Sequence, residues 1–370
     1  MQELFEKNDK GLYLANTNDL YQSRFLPLLQ HAETSIKKLI VRYLWQNKSL
    51  YDLRTVIDMY IKDFSKNRLP MDIENRDSYI NGLYAMANKV YKEQRKARND
   101  FAVILGLLVG AFMMSGKKMP KINTPEELSK FIVEHKKEIA SIKYDMWTQA
   151  KASVRVLDYP KKIQEYIEKA SKIPTTAIEP GKKPISVWQK AELDIRHQKQ
   201  MQMVEDARNS GNDLYYISSH PDCSKRCEKW QGKLVSVSRH ATESGFRVEK
   251  VDGQWVYSLT DIMAQKDKYG YNNNIISGFN CRHYLIKYEK GKLPPKEYSA
   301  ADVRKMRDIN NKIKEYEREI RRLNTEQQMY REVGDKKKYF ELDKEIKRKT
   351  KELKEFCNKN GFAFEKYRIE

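Results

Sequence analysis

Cysteine and histidine concentrate in one part of this chain. Of its four cysteines, Cys223, Cys227 and Cys281 fall near one another, and His283 follows Cys281 by two positions. Three thiolates and one imidazole form the donor set of a tetrahedral structural zinc site. Alternate residues of a strand point to one face, so Cys281 and His283 could chelate as a pair, with His220 as a spare ligand. The competing reading packs Cys281 as a small apolar side chain and hydrogen-bonds His283 inside the fold. Both readings stay open at this level.

A second chemistry draws on overlapping residues. His220, His283, Lys233, Arg282 and Tyr215 offer a general base, a general acid and cations for a phosphate, the needs of a metal-independent nuclease. No Walker-type phosphate loop, serine-nucleophile elbow or paired-histidine zinc-protease motif accompanies them. The expectation is a protein without enzymatic activity.

Helices must position most of the chain. It has 370 residues, 33% of them charged, with 15 glycines and 11 prolines. So few breakers favour long helices. Leu28, Leu29, Ala32, Ile36, Leu39, Ile40 and Tyr43 recur at helical spacing and predict a helix over about 18–45. Similar stripes predict helices over 50–64 and 77–97. Thr124, Pro125 and Glu127 spell a capped start for a helix expected to run toward position 156. Shorter helices are expected over 160–173 and 186–208, with a Pro- and Gly-bearing loop over 175–184 between them.

Positions 101–114 are apolar or Gly throughout. A spanning helix wants about 20 such residues, and shorter runs are more often buried. A buried or subunit-interface helix is therefore expected, with Gly106 and Gly110 at a spacing that permits close backbone approach.

After position 212 the pattern changes to period two. Segments 213–219, 233–238 and 280–288 alternate, and Asp252-Gly253 divides 245–259 into a hairpin. Beyond Pro294-Pro295, Met306, Ile309, Ile313, Tyr316, Ile320 and Leu323 step by three and four. Tyr339, Leu342, Ile346, Leu353 and Phe356 do so again past Gly334, which predicts two antiparallel helices with charged outer faces. The fold class is α+β and predominantly helical. A helical N-terminal region (1–174) leads through a linker and connecting helix (175–212) to a small β-rich module (213–298), then to a C-terminal antiparallel helical hairpin and tail (299–370).

Within the module, Trp230, Gln231, Gly232 and Lys233 precede Gly278, Asn280, Cys281, Arg282 and His283, and the charged hairpin follows. This ordered combination resembles the phage minor capsid protein 2 family, which is related to MuF-type head morphogenesis proteins. The resemblance covers roughly 215–362. Cys227 stands where relatives often carry His. The resemblance implies an internal minor capsid protein of a tailed bacteriophage, present in multiple copies per virion. It would lie in the virion interior near the portal, pass through the host cytoplasm during assembly, and assist head assembly, DNA packaging or ejection. Its partners would be the portal protein and/or the major capsid protein. In that setting 101–114 would meet a membrane only during ejection.

The motif residues then read as structural. A buried Trp230 would need a partner for its indole N–H. Gly232 and Gly278 suit turns of positive φ. Asn280 can hold a loop and Arg282 can fork onto a carboxylate or carbonyl pair. The alternatives are a zinc-stabilised nucleic-acid-binding protein and a virion-delivered nuclease or toxin.

The formal net charge is +20 and the pI about 9.5. Such an excess favours polyanions, here packaged DNA held without sequence preference. No helix-turn-helix or other base-reading motif is present.

Overall fold

The computed structural model describes residues 20–69, 76–114, 116–141, 158–178, 181, 184–221, 223, 227–265, 276, 283–292, 294–295 and 298–369. Three long helices open it: α1 (Leu20–Trp45), α2 (Leu50–Asn67) and α3 (Arg76–Met114). Their buried stripes are those the sequence marks. Leu29, Ala32, Ile36 and Ile40 of α1 face Tyr79, Leu83, Ala87 and Val90 of α3 in one continuous core. Asn47 takes a left-handed φ of 58° just past α1, and Lys48 N–H returns to Tyr43 O, so the chain turns sharply into α2. Ser49 caps α2 by accepting from Asp52 N–H.

Three expectations change. The helix over 77–97 and the apolar run are one 39-residue helix, because no breaker separates them. The helix begun by Thr124 stops early: α4 (Pro125–Glu134) ends at His135, and α5 (Lys136–Ser141) follows. The rest of its expected course, to 156, lies outside the described residues. The loop over 175–184 is bounded by a small ribbon, β1 (Thr176–Ala177) against β2 (Ile185–Ser186). Between α5 and that ribbon, α6 (Tyr159–Ser171) packs on α3, with Tyr159 OH donating to Ala97 O.

The apolar run is half-buried. Ile104, Leu108, Ala111 and Phe112 enter the core, whereas Val103 and Met113 are 61% and 71% exposed. Gly106 and Gly110 meet nothing within 4 Å of where a Cβ would stand, so their small size serves no contact within the chain. Among the described residues no helix is long and apolar enough to cross a membrane. Gly82 is different. A Cβ there would stand 2.1 Å from Thr176 O, so only glycine lets β1 lie against α3.

The connecting helix α7 (Val187–Asn209) delivers the chain to a five-stranded sheet ordered β5-β6-β4-β3-β7. Its strands are β3 (Leu214–Ile217), β4 (Leu234–Ser236), β5 (Arg247–Val251), β6 (Gln254–Ser258) and β7 (Leu285–Lys287). Asp252 and Gly253 close the β5–β6 hairpin with φ of 45° and 79°, the conformation such a pair adopts most readily. β4 and β6 pair in parallel, which the alternation alone could not show. A short helix α8 (Leu259–Met263) extends β6, capped by Ser258.

The hairpin is α9 (Ala300–Val333) and α10 (Lys336–Lys359), joined at Gly334 and capped by Ser299 and Asp335. α9 packs on α1 and α6 over its C-terminal half, where Tyr330 and Met329 join the first core. Arg42 makes two hydrogen bonds to the Glu332 carboxylate there, at 2.8 and 3.2 Å. The tail folds back onto the hairpin: Phe362 is buried, and Arg368 forms a buried ion pair with Glu317 at 2.8 Å.

Candidate functional site

The cysteines and histidines meet where β3 ends. Ser218, Ser219 and His220 continue the strand and are buried. Ser218 N–H donates to Tyr284 O, and Tyr284 N–H donates to Ser218 Oγ, both at 2.9 Å. These reciprocal bonds fasten the approach to β7 beside the exit of β3. The same Ser218 Oγ lies 2.8 Å from His220 Nε2.

The motif Trp230–Lys233 closes the other side. Residues Glu228–Trp230 form a 3-10 turn, with Trp230 N–H donating to Cys227 O. Gln231 Oε1 accepts the His220 backbone N–H. Gly232 takes φ of 69°, so its N–H reaches Ile217 O while Lys233 O accepts from Ile217 N–H. A side chain at Gly232 would strain this left-handed turn. Trp230 is buried edge-on against Phe246 and Tyr257, at 5.7 and 5.6 Å between ring centres. Contrary to expectation, its Nε1 is buried with no hydrogen-bond partner among the described residues. Two aromatic neighbours fix the ring by shape, and the buried N–H costs about 1–3 kcal/mol.

Of the zinc donor set, the structure brings Cys223 and His283 together, with Sγ 3.5 Å from Nε2. The His220 and His283 rings meet edge-to-face at 5.1 Å. Cys227 is buried in the same apolar cluster as Cys223 and Trp230. Among the described residues no three of His, Cys, Asp and Glu gather as metal ligands. Cys281, with Gly278, Asn280 and Arg282, lies outside the described residues. A thiolate and an imidazole on one tetrahedral zinc stand about 3.5 Å apart, and a thiol–imidazole hydrogen bond spans a similar distance. The contact therefore fits either role.

The nuclease set is only partly assembled. His220 and His283 are paired, but Tyr215 points to the end of α7, its hydroxyl 2.6 Å from Ser210 Oγ and 3.2 Å from Ala207 O.

Several residues that hold this site carry no motif signal. Gln200 Nε2 donates to His283 O at 2.6 Å, and Arg307 of α9 donates to Cys223 O. Asp213, just before β3, accepts from Ser236 Oγ, Ser238 N–H, Ser238 Oγ and Arg239 Nε. Burial alone would raise its carboxyl, but the hydrogen bonds from Ser238, Ser236 and Arg239 outweigh that and hold it below the usual range. An Asp preceding a strand, with Ser-x-Ser-Arg in the partner, is the one sequence sign of this knot.

No curated protein matches the chain, and no solved structure matches it. A family model described as phage minor capsid protein 2 matches residues 194–358, from within α7 to the last turn of α10. That interval holds the whole sheet, the Cys223–His283 contact, the Trp230–Lys233 turn and the hairpin, so it is this part of the chain, residues 194–358, that is similar to the phage minor capsid protein 2 family.

Proposed function

We propose that the chain is a structural protein of the phage head, lying inside it near the portal, against packaged DNA. It would assist head assembly, packaging or ejection through contacts with the portal protein or the major capsid protein. The family match carries this reading. The geometry supports it, because the described motif residues spend their bonds on the fold's own backbone: the Gln231 side chain accepts the His220 N–H, and Gly232 N–H donates to Ile217 O. Such residues define a scaffold. The net charge of +20 suits a place beside a dense polyanion. Quantitative mass spectrometry of gradient-purified virions and of DNA-free proheads tests the reading. Multiple copies in both are expected, and absence from both would overturn it.

A second reading rests on the Cys223–His283 contact at 3.5 Å. In it Cys223, Cys227, Cys281 and His283 hold a structural zinc that staples β3 to β7. Elemental analysis of the purified chain tests this: one equivalent of zinc supports it, and metal-free folded protein removes it.

A further inference from the structure

The β5–β6 hairpin carries a row of cations seated on aromatic rings. Arg247 lies 4.6 Å and Lys250 4.9 Å from the centre of the Trp255 ring. Lys229 lies 4.8 Å from the Trp230 ring, which touches Phe246 and Tyr257. Register explains the grouping. Lys250 pairs across from Trp255 and Arg247 across from Tyr257, with a shift between Arg247 and Glu249. Without that bulge, residues 247 and 250 would point to opposite faces; with it they share one. β5 is an edge strand, and Lys229 and Lys250 are exposed.

Charge decides what this surface can take. Among the described residues, Arg247, Lys250 and Lys229 form no ion pair, whereas Arg239 nearby is occupied by Asp213 and Glu249. Glu243 meets Arg247 only through the backbone, its N–H donating to Arg247 O, and among the described residues no ion pair joins Glu228 or Glu243 to the three cations. Resting on a ring limits the rotamers of a long cation, so less freedom is lost when it meets an anion. Arg247 and Lys250 share one indole and are thus at most about 10 Å apart. A nucleic-acid strand presents a charge every ~3.4 Å along its axis, so neighbouring phosphates can reach both. The cations already occupy the Trp255 and Trp230 rings, which favours phosphate contact over base stacking.

We propose that this cation-on-aromatic edge, with Arg247 and Lys250 held on Trp255 and Lys229 held on Trp230, binds the phosphate backbone of nucleic acid without reading its sequence. The assignment rests on the proposed position beside packaged DNA and names the surface that faces it. The test is fluorescence-anisotropy binding of a short labelled duplex by the full chain across about 50–200 mM salt. Arg247→Gln with Lys250→Gln should weaken binding at least tenfold at low salt and flatten the slope of log affinity against log salt by about 2. Trp255→Leu, which keeps both charges, should weaken binding less and leave the slope in place. Lys118→Gln with Lys121→Gln removes the same charge from another surface and should leave the slope unchanged. Circular dichroism and melting temperature confirm that each variant is folded. If both double variants lose equal slope, the surface assignment is overturned while DNA proximity stands. If the wild-type chain shows no salt-dependent binding, the DNA reading itself fails. Tighter, Arg247-dependent binding to polyglutamate than to the duplex would overturn the nucleic-acid assignment in favour of an acidic protein.

Discussion

Cys223 Sγ lies 3.5 Å from His283 Nε2 across 60 residues of sequence, at the point where the exit of β3 meets the approach to β7. Both side chains are buried, so this contact ties the two ends of the motif region together. Cys223→Ala should lower stability by about 1–3 kcal/mol through lost packing alone. With zinc bound, the loss is larger and a chelator reproduces it in the wild type. Denaturation with and without chelator, beside elemental analysis, separates the two: a melting temperature indifferent to chelator leaves packing as the whole role.

The buried pair of Arg368 and Glu317 makes a sharper prediction. Their side chains are 3% and 5% exposed. Arg368→Met leaves a carboxylate buried without its cation and should cost about 3–5 kcal/mol. Adding Glu317→Gln should recover part of that loss. Urea denaturation of the single and double variants measures it, and equal losses would show that the tail, not the charge, sets the effect.

Acid should unfold the chain through carboxylates held low. Glu33 would be raised by burial, but the Lys37 charge and hydrogen bonds from Lys37 and Thr175 outweigh that. Asp213 is held low by its own hydrogen bonds. For both, the folded value lies below the unfolded one. Their stabilisation is complete above about pH 4–5 and is lost as pH falls through the folded values. Glu326 runs the other way: burial lifts its carboxyl despite Arg322, so its ionised form costs stability that protonation restores as pH falls. Glu326→Gln should be neutral or stabilising at pH 7 and should steepen the loss on acidification. A stability-against-pH series on the three glutamine or asparagine variants checks the opposite signs.

Gly82→Ala would place a methyl 2.1 Å from Thr176 O. In an exposed helix that substitution stabilises. Here it should destabilise by about 1–3 kcal/mol, because backbone must move. A raised melting temperature would show that the β1–β2 ribbon does not lie on α3.

Much of this architecture is legible in the residues. The stripe of α1, the capping box of Thr124 and Glu127, the Asp252-Gly253 turn and the two helices around Gly334 all declare themselves, because each follows from local periodicity or turn chemistry. What stays hidden depends on distant chain. Lys37 belongs to a helical stripe yet is fully buried, satisfied by Glu33 at 2.8 Å and Ser171 O at 3.2 Å. The parallel β4–β6 pairing, the bulge that aligns Arg247 with Lys250, and the reach of Gln200 to His283 O leave no mark within any short window. The motif Trp230–Lys233 was visible as a motif. That Gln231 holds His220, and that the indole N–H finds no partner among the described residues, follows only from the fold.

One helix touches both ends of the molecule. At its start, α9 places Val303 in the apolar cluster under the sheet and Arg307 on the Cys223 carbonyl. At its finish, Tyr330 sits in the helical core and Glu332 grips Arg42. Its 34 residues make a rod of about 50 Å, braced along its length by α10. A rod clamped at both ends does not bend easily, so a push on the sheet is delivered to the helical bundle as displacement rather than absorbed as local deformation. Between the sheet's apolar cluster and the helical core, α9 behaves as a beam.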